Sequence, residues 1–358
     1  MKNRILKIFK SFFLISILVI GLWLSERILN NITDYEEWDS FYELKKASIE
    51  LIHFGSSHSA QTFVSTLESE KLGVDVFSIN SSGAVIEQIK YVLIEVLKTQ
   101  KPKVVTIEMF SVIPYSTSDY KLLKVHGAFD LMKFSKNKID AIKYNIPDDT
   151  KMEYFFPLSV YHLEWKEITL NEIKRNILVF TGYFPLFDGY TPGATIYSTE
   201  ENVSILSSPD TITEVKSLPP ERMKLLQDIA DICEENDIKL IFITAPFIEQ
   251  ENIPYSELKK YTNGLEQFAE ENNIDIIDYC EMADEMGIYT SNLANRGHLN
   301  ISGAFKVSSA FAEYLKENYD YLFDGCTWEY KDDISEKQDK LNKIHQDFLD
   351  RLADERQK

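Results

Sequence analysis

The chain has 358 residues, 44% of them hydrophobic and 13% aromatic, which excludes wholesale disorder and leaves room for one large domain or two small ones. Its 38 Lys and Arg stand against 57 Asp and Glu, a net charge of −19. That balance argues against nucleic acid, whose phosphates need a basic surface, and is otherwise that of a solvated exterior.

The first element in chain order is apolar. Ser11 to Ser25 carries no charge, Lys2, Arg4, Lys7 and Lys10 precede it, and Glu26, Asp34, Glu36, Glu37 and Asp39 follow. The run is shorter than the roughly 20 residues that span a bilayer. Ile5, Leu6, Ile8 and Phe9 extend it, and Lys7 and Lys10 can snorkel to the interface. No small-x-small cleavage site follows, so residues 11–28 are expected to be an uncleaved single-pass membrane anchor, with residues 1–10 cytoplasmic and the remainder of the chain outside. Residues 29–48, acidic and weakly helical in pattern, are expected to form a stalk.

From Ile49 the punctuation is that of an α/β domain. Glu50 to Phe54, Val74 to Ile79, Val104 to Ile107, Lys239 to Thr244 and Asp275 to Asp278 read as strands. Val85 to Leu97, Met223 to Asn236 and Gly303 to Tyr319 read as helices, the first with Ile86, Ile89, Val92, Leu93, Val96 and Leu97 at helical spacing. Such alternation predicts a mainly parallel sheet covered on both faces, with the site at the carboxyl ends of its strands. Ser57, Ser82-Gly83 and Glu108 fall at such ends. An aromatic-rich stretch at about 111–219 breaks the rhythm and is expected to be an insertion capping the sheet edge, with His162 either lining the pocket or packing. Residues 326–358 form a charged tail in which Ile334, Leu341, Ile344, Phe348 and Leu352 recur at near-heptad spacing, as in a peripheral helix. The three cysteines, Cys233, Cys280 and Cys326, have no CxxC spacing and read as small hydrophobes. No HExxH or His/Asp cluster at ligand spacing and no Gly-rich phosphate loop appears, so neither metal nor cofactor is expected.

The motif that carries chemistry is Leu51-Ile52-His53-Phe54 running into Gly55-Ser56-Ser57-His58, complemented by Gly297-His298-Leu299-Asn300 before the last long helix of the domain. A serine where a strand opens into a helix lies beside backbone N–H groups that favour a developing oxyanion, and a distant histidine can act as its base. His53 reads as a core residue and His58 as a helix-start residue donating to the backbone.

These blocks resemble the SGNH/GDSL hydrolase superfamily, and more narrowly its membrane-anchored bacterial branch, which includes alginate O-acetyltransferases and the D-alanyl transfer protein of teichoic-acid systems. The resemblance covers about residues 49–325. It implies an SGNH-like, flavodoxin-like three-layer sandwich, with Ser57 as nucleophile, His298 as base, and the N–H groups of Ser57 and Gly83 as the oxyanion hole. Asn80-Ser81-Ser82-Gly83 occupies the second block. The third block offers Glu108-Met109-Phe110 where the family has an Asn donor, and Asn295 stands where the family carries Asp three residues before the histidine. Three readings follow from Asn295: a Ser-His dyad without the acid, a substitute acid such as Asp278 or Asp284, or a non-catalytic member. Glu108 is a candidate site carboxyl or a paired structural one.

What the resemblance implies is extracytoplasmic acyl transfer, with acetyl the preferred group, to or from an envelope polysaccharide or teichoic-type polymer. A polytopic membrane O-acyltransferase is the implied partner. The alternatives are a plain carbohydrate or lipid esterase and a non-catalytic scaffold.

Overall fold

The computed structural model describes residues 2–29, 34–113, 126–162, 165–182, 187–206, 212–249 and 255–358. The chain divides into two units, one formed by residues 1–42 and 129–185 and the other by 43–128 and 186–358. The expected insertion at 111–219 is therefore not one piece. Residues 129–185 fold with the N-terminal segment, and the described residues 187–206 and 212–219 fold with the sheet.

The first unit begins with α1 (Lys2–Ile28). Among the described residues it is the one helix long and apolar enough to cross a membrane, and none of its apolar stretch is buried. Next comes α2 (Asp34–Glu43). Its acidic sequence suggested an exposed stalk, yet Trp38 and Phe41, one turn apart, are each only 1% exposed. The stretch is thus part of a packed body rather than a tether. Helices α6 (Lys136–Asn145), α7 (Lys151–Phe155), α8 (Leu158–Tyr161) and α9 (Leu170–Phe180) complete this unit. Arg175 of α9 pairs with Glu36 of α2 at 3.0 Å.

The second unit is built on five parallel strands in the order β2-β1-β3-β4-β5: β1 Leu51–Gly55, β2 Val76–Asn80, β3 Val104–Glu108, β4 Lys239–Thr244 and β5 Asp275–Asp278. All residues of the first four strands are buried, which is why the strands read as continuous apolar runs. The register sets Gly55 opposite Asn80, Glu108 opposite Ile243 and Thr244 opposite Asp278, so the carboxyl ends form one edge.

The connections follow from handedness. β1 leads to β2 through α3 (Ser57–Ala60) and α4 (Ser65–Leu72), and β2 leads back past β1 to β3 through α5 (Ile86–Val96). Right-handed crossovers running in opposite directions put α4 and α5 on opposite faces. With α5 goes α10 (Pro220–Glu235), whose first turn begins on Pro220. Helices α11 (Tyr255–Asn263) and α12 (Glu266–Glu271) bridge β4 and β5. On the α4 face, Leu51, Val76, Val104, Ile241 and Ile243 pack with Phe63 and with Val307, Phe311 and Leu315 of α13 (Ile301–Tyr319). His53 belongs to this core. Its Nδ1 lies 2.8 Å from Thr106 Oγ1 and its Nε2 2.6 Å from Glu68 Oε2, and the ring stacks on Phe63.

The charged tail is α14 (Lys331–Arg356), and it is integral to this unit. Leu341, Phe348 and Leu352 pack with Val64, Tyr190, Ile301 and Ala304, and the Thr66 hydroxyl donates to Gln338 at 2.6 Å. Ile344, although in the heptad-like series, is exposed, because the buried stripe passes beside it. The three cysteines are free thiols.

Candidate active site

The site grows from the end of β1. Gly55 has no room for a side chain: a Cβ there would stand 2.6 Å from the Cβ of Ser59 and 2.7 Å from that of Glu108. The close approach lets the chain turn directly into α3. Ser56 caps that helix, accepting from the His58 N–H at 3.2 Å and donating to Glu108 Oε2 at 3.1 Å. Ser57 is therefore held as the first helical residue. Its N–H belongs to the first turn, where no preceding helical carbonyl is available to it.

His298 reaches the serine from the other end of the domain. Leu293 and Leu299 bridge in antiparallel fashion, and the Ala294 N–H donates to the His298 carbonyl at 2.8 Å, so residues 294–298 form a tight turn. The turn lays Asn295 under the imidazole. His298 Nε2 is 2.7 Å from Ser57 Oγ, and His298 Nδ1 is 2.9 Å from Asn295 Oδ1. The Gly297 N–H donates to the same Asn295 atom at 2.9 Å, which identifies that atom as the amide oxygen. Because an oxygen faces Nδ1, that nitrogen carries the proton and Nε2 is free to accept from the serine. At its far end the turn is fixed by Asn300, which caps α13 by accepting from the N–H groups of Ser302 and Gly303.

The second block lies beside the first. The Ser81 N–H donates to the Gly55 carbonyl at 3.1 Å, and the Ala84 N–H donates to Ser81 O at 2.8 Å. Gly83 occupies this turn with φ +67°, a conformation that a side chain would disfavour. Ser82 next to it is exposed. The two residues expected to supply oxyanion donors, Ser57 and Gly83, thus follow the ends of the neighbouring strands β1 and β2.

Glu108 does not line an open pocket. It is fully buried beneath the turn at Ser56-Ser57, where it accepts from Ser56 Oγ and, at 2.8 Å, from the Phe110 N–H. Burial pushes its carboxyl up to about 8, against the pull of those hydrogen bonds. Its work is to hold the turn. His58 also differs from expectation. Its ring stacks on Phe110 at 3.7 Å, and its Nδ1 is buried without a hydrogen-bond partner rather than donating to the backbone. Phe247 meets Phe110 edge-on at 4.7 Å, and the His58 and His298 rings lie 4.8 Å apart. This aromatic wall was invisible in the sequence because its members, His58 in α3, Phe110 just after β3 and Phe247 just after β4, lie far apart along the chain. Desolvation, and secondarily His298, hold His58 well below the ordinary histidine value, and partial burial lowers His298.

Neither candidate substitute acid stands behind His298. Asp278 accepts from Tyr255 Oη at 2.9 Å and from the Cys280 N–H at 3.0 Å, with Lys259 Nζ 3.6 Å away, while Asp284 is exposed. His162 lies in the first unit, exposed, with Nδ1 3.0 Å from the Leu158 carbonyl. Among the described residues, no group of His, Cys, Asp and Glu side chains is disposed to hold a metal ion. In comparisons with known proteins, no family model matches the chain, and no curated protein matches it.

Proposed function

We propose that this protein is a membrane-anchored SGNH-type enzyme that transfers an acyl group through Ser57. One observation carries the reading: a serine hydroxyl at 2.7 Å from an imidazole whose second nitrogen is fixed by Asn295. Ser57 Oγ attacks the carbonyl carbon of an acyl ester while His298 Nε2 takes its proton. The tetrahedral oxygen is held by the N–H groups of Ser57 and Gly83. His298 returns the proton to the leaving alcohol, and an acyl-serine remains. Water or an acceptor hydroxyl then repeats the sequence in reverse. Asn295 is a positioning residue: it selects the tautomer but adds no charge to stabilise the imidazolium.

Acetyl is the acyl group proposed, and an envelope polysaccharide or teichoic-type polymer is the donor or acceptor. The basic N-terminus and acidic residues after α1 favour an extracytoplasmic second unit. A polytopic membrane O-acyltransferase would supply acyl groups from the other side, and a plain esterase would need no such partner. The neutral Asn295 favours one further reading, a non-catalytic scaffold retaining this geometry. Labelling with a fluorophosphonate separates the two. Covalent capture of Ser57, lost in Ser57→Ala, is the outcome expected of the enzyme, and an unlabelled, folded wild type would leave the scaffold.

A further inference from the structure

We propose that the last turn of α9 dips into the lipid bilayer beside α1, making the first unit a membrane-seated body rather than a domain on a tether. The proposal rests on α1 crossing a bilayer and is independent of acyl transfer. From Ile5 to Trp23 the apolar side chains of α1 are exposed, a length of about 28 Å at 1.5 Å per residue, close to the ~30 Å of a hydrocarbon core. Trp23 closes this band, where an indole belongs at a membrane interface.

Helix α9 is anchored on that boundary. Its first turn is fixed by a capping box between Thr169 and Glu172. Asn176 Nδ2 donates to the Ile28 carbonyl at 3.0 Å, and the Phe180 ring packs edge-on against Trp23 at 5.6 Å. Passing from 176 to 180 on α9 therefore means passing from 28 to 23 on α1. The two helices run in opposite directions, and the C-terminal end of α9 points toward the bilayer. That end is where its apolar residues are exposed: Ile177 is 43%, Leu178 48% and Phe180 39% accessible, while Val179 between them packs inside the unit. Lys174, one turn nearer the water, is exposed where its ammonium can meet headgroup phosphates. An apolar turn at the depth of Trp23, continuous with the exposed band of α1, meets acyl chains on its open side.

The test uses the full chain carrying Cys326→Ser, reconstituted in vesicles of phosphatidylcholine and phosphatidylglycerol, with an environment-sensitive NBD label on Ile177→Cys or Leu178→Cys. Leu14→Cys, within α1, and Lys224→Cys, exposed on α10, serve as references. The expected result is blue-shifted emission at 177 and 178 that is lost when the vesicles contain doxyl-labelled lipid, as at Leu14 and unlike Lys224. Quenching at Leu14 with water-like emission at 177 and 178 overturns the proposal. A blue shift at 177 and 178 without lipid quenching overturns it too, since a second copy or another protein would then cover the turn. Absence of quenching at Leu14 removes the anchor itself, and the proposal with it.

Discussion

Asn295 Oδ1 accepts two hydrogen bonds at once, one from the His298 ring and one from the Gly297 N–H, each 2.9 Å long. The side chain is therefore clamped in the orientation an aspartate would take, without the aspartate's charge. Asn295→Asp should raise turnover of an activated acetyl ester by about 10-fold or more, because a carboxylate stabilises the imidazolium formed as serine attacks. Asp278→Asn and Asp284→Asn should leave turnover close to wild type. A collapse in either, with Asn295→Asp inert, would show that the acid comes from elsewhere.

The proposed role of Ser57 makes a sharper demand. Ser57→Ala removes one hydroxyl from a half-buried position and leaves the Ser56 cap and the Glu108 contacts in place. Turnover should fall by on the order of 10³-fold or more with an unchanged melting temperature. Residual activity near wild type would place the chemistry at another residue.

For the proposed acyl transfer, His298 should set the acid limb of the rate profile. Protonated, its Nε2 cannot accept from Ser57, and partial burial holds it below the ordinary value of 6.5. The limb in kcat/KM should lie below pH 6.5 in wild type and move upward in Asn295→Asp, since a nearby carboxylate favours the charged ring. A limb above 6.5 in wild type would contradict a neutral partner behind the imidazole.

Glu108 links the same turn to stability. Its carboxyl titrates near 8 when folded and near ~4.3 in an unfolded chain. Between those values the unfolded state has released a proton that the folded state keeps, so this group makes stability fall as pH rises through the window. Glu108→Gln removes that contribution while keeping an acceptor for the Phe110 N–H. Melting curves from about pH 5 to about pH 9 should decline less steeply for the variant than for wild type. Parallel curves would mean that the carboxyl ionises freely in place.

At Gly55 the argument is steric. Two Cβ atoms stand closer than any side chain tolerates, and neither belongs to the free end of a flexible chain. Gly55→Ala should cost about 1–3 kcal/mol and disturb the Ser57–His298 pair. Denaturant titration and fluorophosphonate labelling measured together would detect both effects. An unaltered variant would show that the turn can relax.

Much of this was legible beforehand. The strands at Lys239–Thr244 and Asp275–Asp278 have the boundaries their apolar runs suggest, and the juxtaposition of residues 57 and 298 follows from two short blocks. What escaped reading depends on tertiary placement. The acidic composition of 34–43 hid the buried pair Trp38 and Phe41. The direction of Glu108, inward and under Ser56, depends on how far the strand extends, and the sequence reading ended it one residue early. Likewise, no local pattern could join His58, Phe110 and Phe247, which meet only after the sheet has assembled.

The 241-position separation of Ser57 and His298 in the chain also sets a schedule. A chain made from its N-terminus presents the serine early, alone, with a hydroxyl no more reactive than any other. His298 arrives only when the last sixth of the polypeptide emerges, and the helix that packs against Val64 and Ile301 comes later still. Assembly of the pair thus doubles as a completeness check: truncated or stalled products carry the serine without its histidine partner.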